Sequence, residues 1–242
     1  PGTYTVTYTT AGTCPNSSTE SVTINALDDA TFSYAAAAYC VDATDPSPTA
    51  TLGGGSYSST AGLSINSTTG AIDVSASTPG TYTVTYLTAG TCPNSSTESV
   101  TINALDDASF SYAAAAYCVD ATDPTPTATL VGGSYSSTAG LSINSTTGVI
   151  DVSASTPGTY TITYTTAGTC PNSSTESVTI NALPTITVST AATCSVDLLT
   201  YSISIDVSSG GVVTSTSGTV TDNGSNNWTI DAITSGTDIT IT

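Results

Sequence analysis

A nearly invariant 78-residue repeat is the feature that most constrains this chain. Residues 28–105 and 106–183 differ at six positions, and each difference exchanges small or similar side chains. The closing stretch of the repeat also occurs at positions 1–27, with one substitution relative to each copy. A fixed period of this length indicates one structural module per repeat. We therefore predict four segments: 1–27 as the C-terminal hairpin of a truncated repeat, 28–105 and 106–183 as whole repeats, and 184–242 as a divergent, truncated β domain.

Alternating apolar and polar residues predict that each repeat is built from strands. Tyr82, Val84 and Tyr86 alternate with threonines, which is the pattern of a half-buried strand. Similar alternation covers 72–76 and 100–104, shorter candidates lie at 30–34, 49–52, 56–59 and 63–65, and we interpret 35–38 (AAAA) as part of an edge strand or a bulge. Turn residues separate these stretches, and no sustained helical pattern occurs.

About seven short strands in each repeat favour an immunoglobulin-like fold. We therefore predict an all-β chain of tandem immunoglobulin-like β-sandwiches. The linker between repeats is only the pair Asp106 and Asp107. A linker this short leaves little room for flexing, so we expect the domains to be stacked end to end.

The missing basic residues exclude several classes of function. The chain has no Lys, Arg or His, and its 18 acidic residues give a formal net charge of −18. Binding of nucleic acid depends on Lys and Arg neutralising phosphates, so we expect no nucleic-acid partner. Serine and cysteine hydrolase sites depend on His, so no catalytic residue is predicted and we expect a protein that is not an enzyme. No apolar run is long enough to insert in a membrane.

Six cysteines predict disulfides formed in an oxidising compartment. One pairing places both bonds within repeats, Cys40–Cys92 and Cys118–Cys170, and leaves Cys14 and Cys194 unpaired within this segment. The other joins all six across the segment junctions, as Cys14–Cys40, Cys92–Cys118 and Cys170–Cys194. We favour the pairing within repeats, because each repeat then closes its own loop.

Acidic residues near the predicted junctions are candidate calcium ligands, although no cofactor is required by the pattern. They are Asp28, Asp29, Asp42 and Asp45, with their copies Asp106, Asp107, Asp120 and Asp123. Calcium takes six to eight oxygen ligands, and carboxylates in turns supply them. The other interpretation is that these side chains are solvated turn acids, and no EF-hand spacing occurs.

The stretch 132–170 (GGSYSSTAGLSINSTTGVIDVSASTPGTYTITYTTAGTC) resembles the Ig-like tandem repeats of giant cell-surface adhesins of Bacteroidota. Those proteins leave the cell through type IX secretion, and the gliding-motility adhesin SprB is their type. The shared pattern GLSINSTTG with PGTYTVTY is also similar to bacterial putative Ig domains, and the tail 194–242 resembles another repeat type of the same adhesins. The resemblance implies an extracellular location on the bacterial cell surface and no catalytic residues.

We therefore expect a structural stalk or filament segment that projects adhesive regions from the cell surface. Its partners would be neighbouring repeats of the same long chain. The alternative is a binding module whose exposed threonine rows, such as Thr81, Thr83 and Thr85, contact glycans or solid substrata. A third hypothesis is a polymerising subunit whose partial ends complete each other between molecules.

Overall fold

The computed structural model describes residues 1–208 and 211–242, and the regular structure in those ranges is all β. The all-β prediction is confirmed. No helix in the described ranges is long and apolar enough to cross a membrane. The chain divides into two compact units, which are Pro1–Phe110 with Thr127–Tyr135 and Thr163–Ser174, and Ser111–Pro126 with Ser136–Ile162 and Thr175–Thr242. This division runs through the second repeat, so the four segments and their end-to-end stacking stay predictions.

The N-terminal segment is a single antiparallel hairpin. It consists of β1 (Gly2–Thr9) and β2 (Ser17–Ile24), with Gly2 opposite Ile24 and Thr9 opposite Ser17. Every residue of both strands is exposed, including the apolar ones. The hairpin therefore has strand geometry without a core.

The first repeat forms a sandwich from one four-stranded sheet and two short ribbons. Its strands are β3 (Phe32–Ser33), β4 (Ala38–Cys40), β5 (Thr49–Ala50), β6 (Ser56–Ser59), β7 (Ser64–Ile65), β8 (Ile72–Asp73), β9 (Gly80–Leu87) and β10 (Ser95–Asn103). The large sheet has the order β4-β10-β9-β6, and the ribbons pair β3 with β5 and β7 with β8. The alanine run ends in β4, an edge strand that lies parallel to β10.

The core of the first repeat lies between the large sheet and the ribbons. Its buried side chains come from both layers and are Ala30, Phe32, Tyr34, Tyr57, Leu63, Ile72, Val74, Tyr82, Val84, Tyr86, Val100 and Ile102. Phe32 packs edge-on against Tyr57, and the rings of Tyr57 and Tyr86 lie 4.6 Å apart between centroids. Aromatic pairs add about 0.5–1.5 kcal/mol to the burial of their surface.

Tyrosine is tolerated in this core because the hydroxyls of Tyr34, Tyr82 and Tyr86 each meet a backbone group. The Tyr34 hydroxyl donates to the Gly70 carbonyl at 2.6 Å. The Tyr86 hydroxyl donates to the Leu52 carbonyl and accepts from the Gly55 amide. Burial raises the pKa of Tyr34 well above its usual range, so this hydroxyl stays a donor at any physiological pH.

The second repeat uses the same strand order. Its strands are β11 (Phe110–Ser111), β12 (Ala116–Cys118), β13 (Thr127–Ala128), β14 (Ser134–Ser137), β15 (Ser142–Ile143), β16 (Ile150–Asp151), β17 (Gly158–Thr165) and β18 (Ser173–Asn181). The large sheet runs β12-β18-β17-β14, beside the ribbons β11-β13 and β15-β16. The Tyr112 hydroxyl donates to Gly148 as Tyr34 does to Gly70, so the internal contacts repeat with the sequence.

The C-terminal segment is one antiparallel sheet of different topology. Its strands are β19 (Ile186–Cys194), β20 (Thr200–Val207), β21 (Thr219–Gly224) and β22 (Asn227–Thr234), in the order β19-β20-β22-β21. Ile205, Ile230 and Ile233 are fully buried in this sheet. The β21–β22 turn places Ser225 and Asn226 at positive φ, the left-handed geometry of a tight hairpin turn.

Candidate interaction face and cross-link sites

The outer face of the large sheet in the first repeat is a plane of hydroxyl groups. Thr81 and Thr83 on β9 are exposed, and Thr85 is half-buried. The antiparallel register places Thr101, Ser99 and Thr97 of β10 opposite them. The predicted threonine row therefore belongs to a wider surface, which we call the hydroxyl face: Thr81, Thr83, Thr85, Thr97, Ser99 and Thr101.

Part of the hydrogen-bonding capacity of the hydroxyl face is used internally. The side-chain oxygens of Thr81 and Thr101 lie 3.0 Å apart, so one of these two hydroxyls donates to the other. The corresponding pair in the second repeat, Thr159 and Thr179, also lies 3.0 Å apart. Cross-strand Thr pairs of this kind stabilise a sheet by about 0.2–1 kcal/mol. The face can therefore serve the sheet itself, and a ligand would use the remaining hydroxyls.

The disulfide connects cysteines that the sequence did not pair. Cys40 is bonded to Cys170, with 5.6 Å between their Cα atoms, and the two positions are 130 residues apart. Cys14, Cys92, Cys118 and Cys194 are free thiols. The predicted Cys40–Cys92 and Cys118–Cys170 bonds are therefore wrong, and so is the junction pairing.

The fold itself explains why a bond within a repeat fails. Cys40 lies on β4 opposite Asn103, the last residue of β10, whereas Cys92 lies in the loop before β10 begins at Ser95. A strand advances about 3.4 Å per residue, so the ends of β10 are roughly 27 Å apart. A disulfide requires Cα atoms about 4.4–6.8 Å apart. The sequence pattern places both cysteines near the ends of strands. Only the parallel pairing of β4 with β10 shows that they lie at opposite ends of β10.

Asp28 holds the loop that carries Cys92. Its carboxylate accepts from the Thr88 hydroxyl at 2.9 Å and from the Cys92 amide at 3.4 Å, while its own amide donates to the Cys92 carbonyl. A side chain at Gly90 would meet the Asp28 carboxylate at 2.5 Å, so this close approach requires glycine.

Asp106 has the same role in the second repeat. Its carboxylate accepts from the Thr166 hydroxyl at 2.9 Å and from the Gly168 amide at 3.0 Å, and its amide donates to the Cys170 carbonyl. These two candidate calcium ligands are therefore loop clamps, engaged by donors of their own repeat.

The remaining candidate ligands lie apart from these clamps. Asp29 and Asp107 accept from the amides two residues ahead, at 3.0 Å each, and the pKa of each carboxyl is lowered, mainly by the side chain of Thr31 or Ser109. Asp45 accepts from the Val74 amide at 3.0 Å, as Asp123 does from Val152 at 3.1 Å. Asp42 and Asp120 are exposed.

The acidic side chains do not assemble into a metal cage. Within residues 1–208 and 211–242, no three His, Cys, Asp or Glu side chains form a group that could hold a metal ion. Each engaged carboxylate instead receives backbone amides or hydroxyls, which is the environment of a turn acid. Calcium binding stays a prediction for which these contacts give no geometry.

One recurring contact network, at the ribbon β7-β8, is not among the predictions from the sequence. The Asp73 carboxylate accepts from the Ser75 hydroxyl at 2.8 Å and from the Ala76 amide at 2.9 Å, and the Ser77 hydroxyl accepts from the Ser64 amide. The same contacts occur around Asp151. The D-x-S spacing, typical of an Asx turn, was the available signal.

An apolar cleft of about 440 Å³ opens in the C-terminal segment. It is lined by residues that include Pro184, Ile186, Val207, Val213 and Ile241. Among the residues that the structure describes, its lining carries no acidic side chain.

Comparison with known proteins gives no family assignment. No protein-family model matches the chain, and no curated protein matches it. Mouse Cadherin-23 EC22-24 aligns with 75% of this chain and 74% of its own, at 14% identity and a TM-score of 0.30. Mouse clustered PcdhgC3 EC1-3 aligns with 75% of this chain and 76% of its own, at 13% identity and a TM-score of 0.29. The Protocadherin GammaB4 extracellular domain aligns with 99% of this chain but only 53% of its own, at 12% identity and a TM-score of 0.33.

Proposed function

We propose that this chain is a non-enzymatic stalk or filament segment of an extracellular bacterial adhesin. The resemblance to Ig-like repeats of type IX-secreted, gliding-motility adhesins of Bacteroidota supplies the biological setting. In this proposal the segment projects adhesive regions from the cell surface, and its partners are neighbouring repeats of the same chain.

The observation that carries the proposal is that the second repeat reproduces the structure of the first without adding a new site. Its aromatic core repeats the same spacings, 4.6 Å between Tyr135 and Tyr164 as between Tyr57 and Tyr86. Its loop clamp at Asp106 repeats the clamp at Asp28. Repeated domains with the same core packing lengthen the protein and add further folded units that can bear load, which is what a stalk requires.

The Cys40–Cys170 bond supports a load-bearing role. When the chain is pulled from its ends, the tension passes from Cys40 to Cys170 through the disulfide. The residues between them are then shielded from extension as long as the bond is intact. The bond therefore limits how far the segment lengthens under load.

Composition supports survival outside the cell. Because the chain has no Lys or Arg, trypsin-like proteases have no cleavage site in it. The net charge of −18 makes neighbouring stalks repel each other, and salt screens this repulsion over about 10 Å at 0.1 M.

Single-molecule force spectroscopy tests the mechanical proposal. We expect the oxidised chain, pulled from its ends, to gain roughly 450 Å of contour length after reduction, because an extended residue spans about 3.5 Å and the bond encloses nearly 130. The variant Cys40→Ser should show the longer contour without reductant, whereas Cys14→Ser should behave as wild type. Equal contour lengths before and after reduction would contradict a load-bearing bond.

The hydroxyl face favours a second candidate function, a repeated binding module for glycans or solid surfaces. Exposed hydroxyls recur on both large sheets, at Thr81 and Thr83 and again at Thr159 and Thr161. A glycan array and a particle pull-down with the whole chain test this candidate. Saturable binding that is lost when these four threonines become valine, which keeps the strand preference, would favour the binding module over the stalk.

A further inference from the structure

The number of residues between the two bonded cysteines shows how the disulfide is related to the 78-residue repeat. Cys40 and Cys170 are 130 residues apart, which is one 78-residue period more than the 52 residues between the two cysteines of a repeat. The bond therefore joins the strand cysteine of one repeat to the loop cysteine of the next. The free thiols include the equivalent of each bonded cysteine in the other repeat: Cys118 is the copy of Cys40, and Cys92 is the copy of Cys170.

The free strand cysteine has the same backbone setting as its bonded copy. Cys118 lies opposite Asn181 in a parallel pair, as Cys40 lies opposite Asn103. The carbonyls of Cys118 and Cys40 each accept from the amide three residues ahead, at 3.0 Å in both repeats. The Cys118 side chain is exposed. Cys118 therefore shares with Cys40 both the strand pairing and the turn hydrogen bond.

The free loop cysteine is likewise held as its bonded copy is. The Cys92 carbonyl accepts from the Asp28 amide at 2.9 Å, and the Cys170 carbonyl accepts from the Asp106 amide at 2.8 Å. The loop closes through Thr88 to Asn94 at 2.9 Å, and the copy of this bond has the same length. Cys170 is buried in its bonded state, whereas Cys92 is partly exposed.

We propose that Cys118 and Cys92 are preformed half-sites of a disulfide ladder that bonds each repeat to the next. Cys118 takes the loop cysteine of a following repeat with the TAGTCPN loop, and Cys92 takes the strand cysteine of a preceding repeat with the AYCVD strand. The bonded residues Cys40 and Cys170 show the geometry of one rung. The inference rests on these contacts alone and holds whether the chain is a stalk or a binding module.

Each rung forms by thiol–disulfide exchange with a small-molecule disulfide such as oxidised glutathione. One cysteine thiolate attacks the glutathione disulfide and releases one glutathione thiol, which leaves a mixed disulfide. The second cysteine thiolate then attacks the protein sulfur of that mixed disulfide and releases the second glutathione. Two protein thiols are oxidised to one bond, and one glutathione disulfide is reduced to two thiols.

The first experiment counts free thiols in the whole chain after equilibration in a glutathione redox buffer. Alkylation followed by mass measurement should find four free thiols, with a linked peptide joining Cys40 to Cys170. Ser47 against Thr125, and Leu87 against Thr165, distinguish the peptides of the two repeats by mass. Two free thiols, with bonds inside the repeats, would overturn the proposal.

The second experiment lengthens the array by inserting one further copy of residues 106–183 after Leu183. The ladder predicts two bonds in a monomer of eight cysteines, so the free thiols remain four and Cys118 becomes bonded. In this longer chain Cys118→Ser should leave five free thiols, whereas the matched control Cys14→Ser should leave three.

The remaining outcomes of the lengthened chain are also decisive. A Cys118 that stays free while Cys40–Cys170 forms, which shows that the repeats are folded, would overturn the ladder. A bond from Cys118 to a second molecule, seen as a dimer without reductant, would overturn the assignment of its partner to the same chain.

Discussion

The hairpin β1-β2 and the strand pair β9-β10 are nearly the same sequence in two environments. Both pairs have one register, since Gly2 faces Ile24 as Gly80 faces Ile102. Burial differs at every apolar position: Tyr8 is 70% exposed and its copy Tyr86 is 1% exposed, and Val6 is 56% exposed where Val84 is fully buried.

The difference teaches that strand formation and burial have separate origins in this protein. The turn that closes each hairpin uses the same bond, from Thr10 to Asn16 at 2.8 Å and from Thr88 to Asn94 at 2.9 Å. These are local contacts, so the register follows from the repeated letters. Burial instead depends on the ribbons and β6, which cover β9-β10 and have no counterpart over β1-β2 within the described residues.

The largest effect is expected when the same side chain is removed from both environments. Tyr86→Ala should lower the free energy of unfolding by about 3–5 kcal/mol, because it leaves a cavity in a packed aromatic cluster. Tyr8→Ala should change it by less than about 0.5 kcal/mol, as a surface substitution does. Denaturant unfolding of the two variants measures this difference, and equal losses would contradict the assigned burial.

A substitution that creates a steric clash should make β9 more exposed, as β1 is. A Cβ at Gly55 would lie 2.2 Å from the Leu87 carbonyl oxygen, so Gly55→Ala should push β6 away from β9 and cost about 1–3 kcal/mol. Hydrogen exchange should then speed up at the β9 amides that pair with β6. Gly53→Ala meets nothing within 4 Å and is the matched control. Unchanged exchange in Gly55→Ala would argue against this packing.

Removing one tyrosine hydroxyl should lower the stability more in the buried core than on the exposed hairpin, by less than the truncation of Tyr86 to alanine does. Tyr34→Phe leaves the buried Gly70 carbonyl without the donor that now lies 2.6 Å away, so we expect a loss of about 1–3 kcal/mol. Tyr4→Phe, on the exposed hairpin, should leave the thermal midpoint where it is. The prediction fails if the two variants melt alike.

The smallest expected effect is a dependence of stability on acid that comes from Asp73 and Asp151. The pKa of Asp73 is lowered by the Ala76 amide and the Ser75 hydroxyl, and that of Asp151 is lowered by the equivalent Ala154 amide and Ser153 hydroxyl. A carboxyl with a lowered folded pKa stabilises the protein above its unfolded pKa of about 3.9, and this contribution is lost as the pH falls through the folded value.

Thermal melts between pH 7 and pH 2 measure that acid effect. The double variant Asp73→Asn, Asp151→Asn should lose less stability than wild type below about pH 4. Asp73 is exposed and Asp151 is only half-buried, so the difference should be small and should shrink further in high salt. If the melting temperatures of the variant and the wild type depend on pH in the same way, Asp73 and Asp151 do not have this stabilising role.

Sequence patterns predicted the long strands better than the short ones. The alternation in 82–86 lies within β9, that in 100–104 lies within β10 except for its last residue, and the candidate 56–59 coincides with β6. The candidates 30–34 and 63–65 shortened to the pairs Phe32–Ser33 and Ser64–Ile65, because ribbons of two residues are set by contact with the core.

The candidate sites divide in the same way. The exposure of Thr81 and Thr83 follows from strand alternation alone, and both side chains are exposed in the structure. The disulfide partners do not follow, because sequence distance says nothing about which end of a strand each cysteine occupies. The positions of Asp28 and Asp106 as loop clamps likewise depend on a glycine-lined approach that only the folded loop shows.

The sequence by itself determined the repeat, the all-β class and the register of the long hairpins, because period-2 patterning and turn chemistry act over a few residues. Only the tertiary structure decided which cysteine bonds with which. The pairing depends on contacts between residues far apart in the chain: Cys40 is 52 residues from Cys92, which lies near the far end of β10, and 130 residues from Cys170, to which it is bonded.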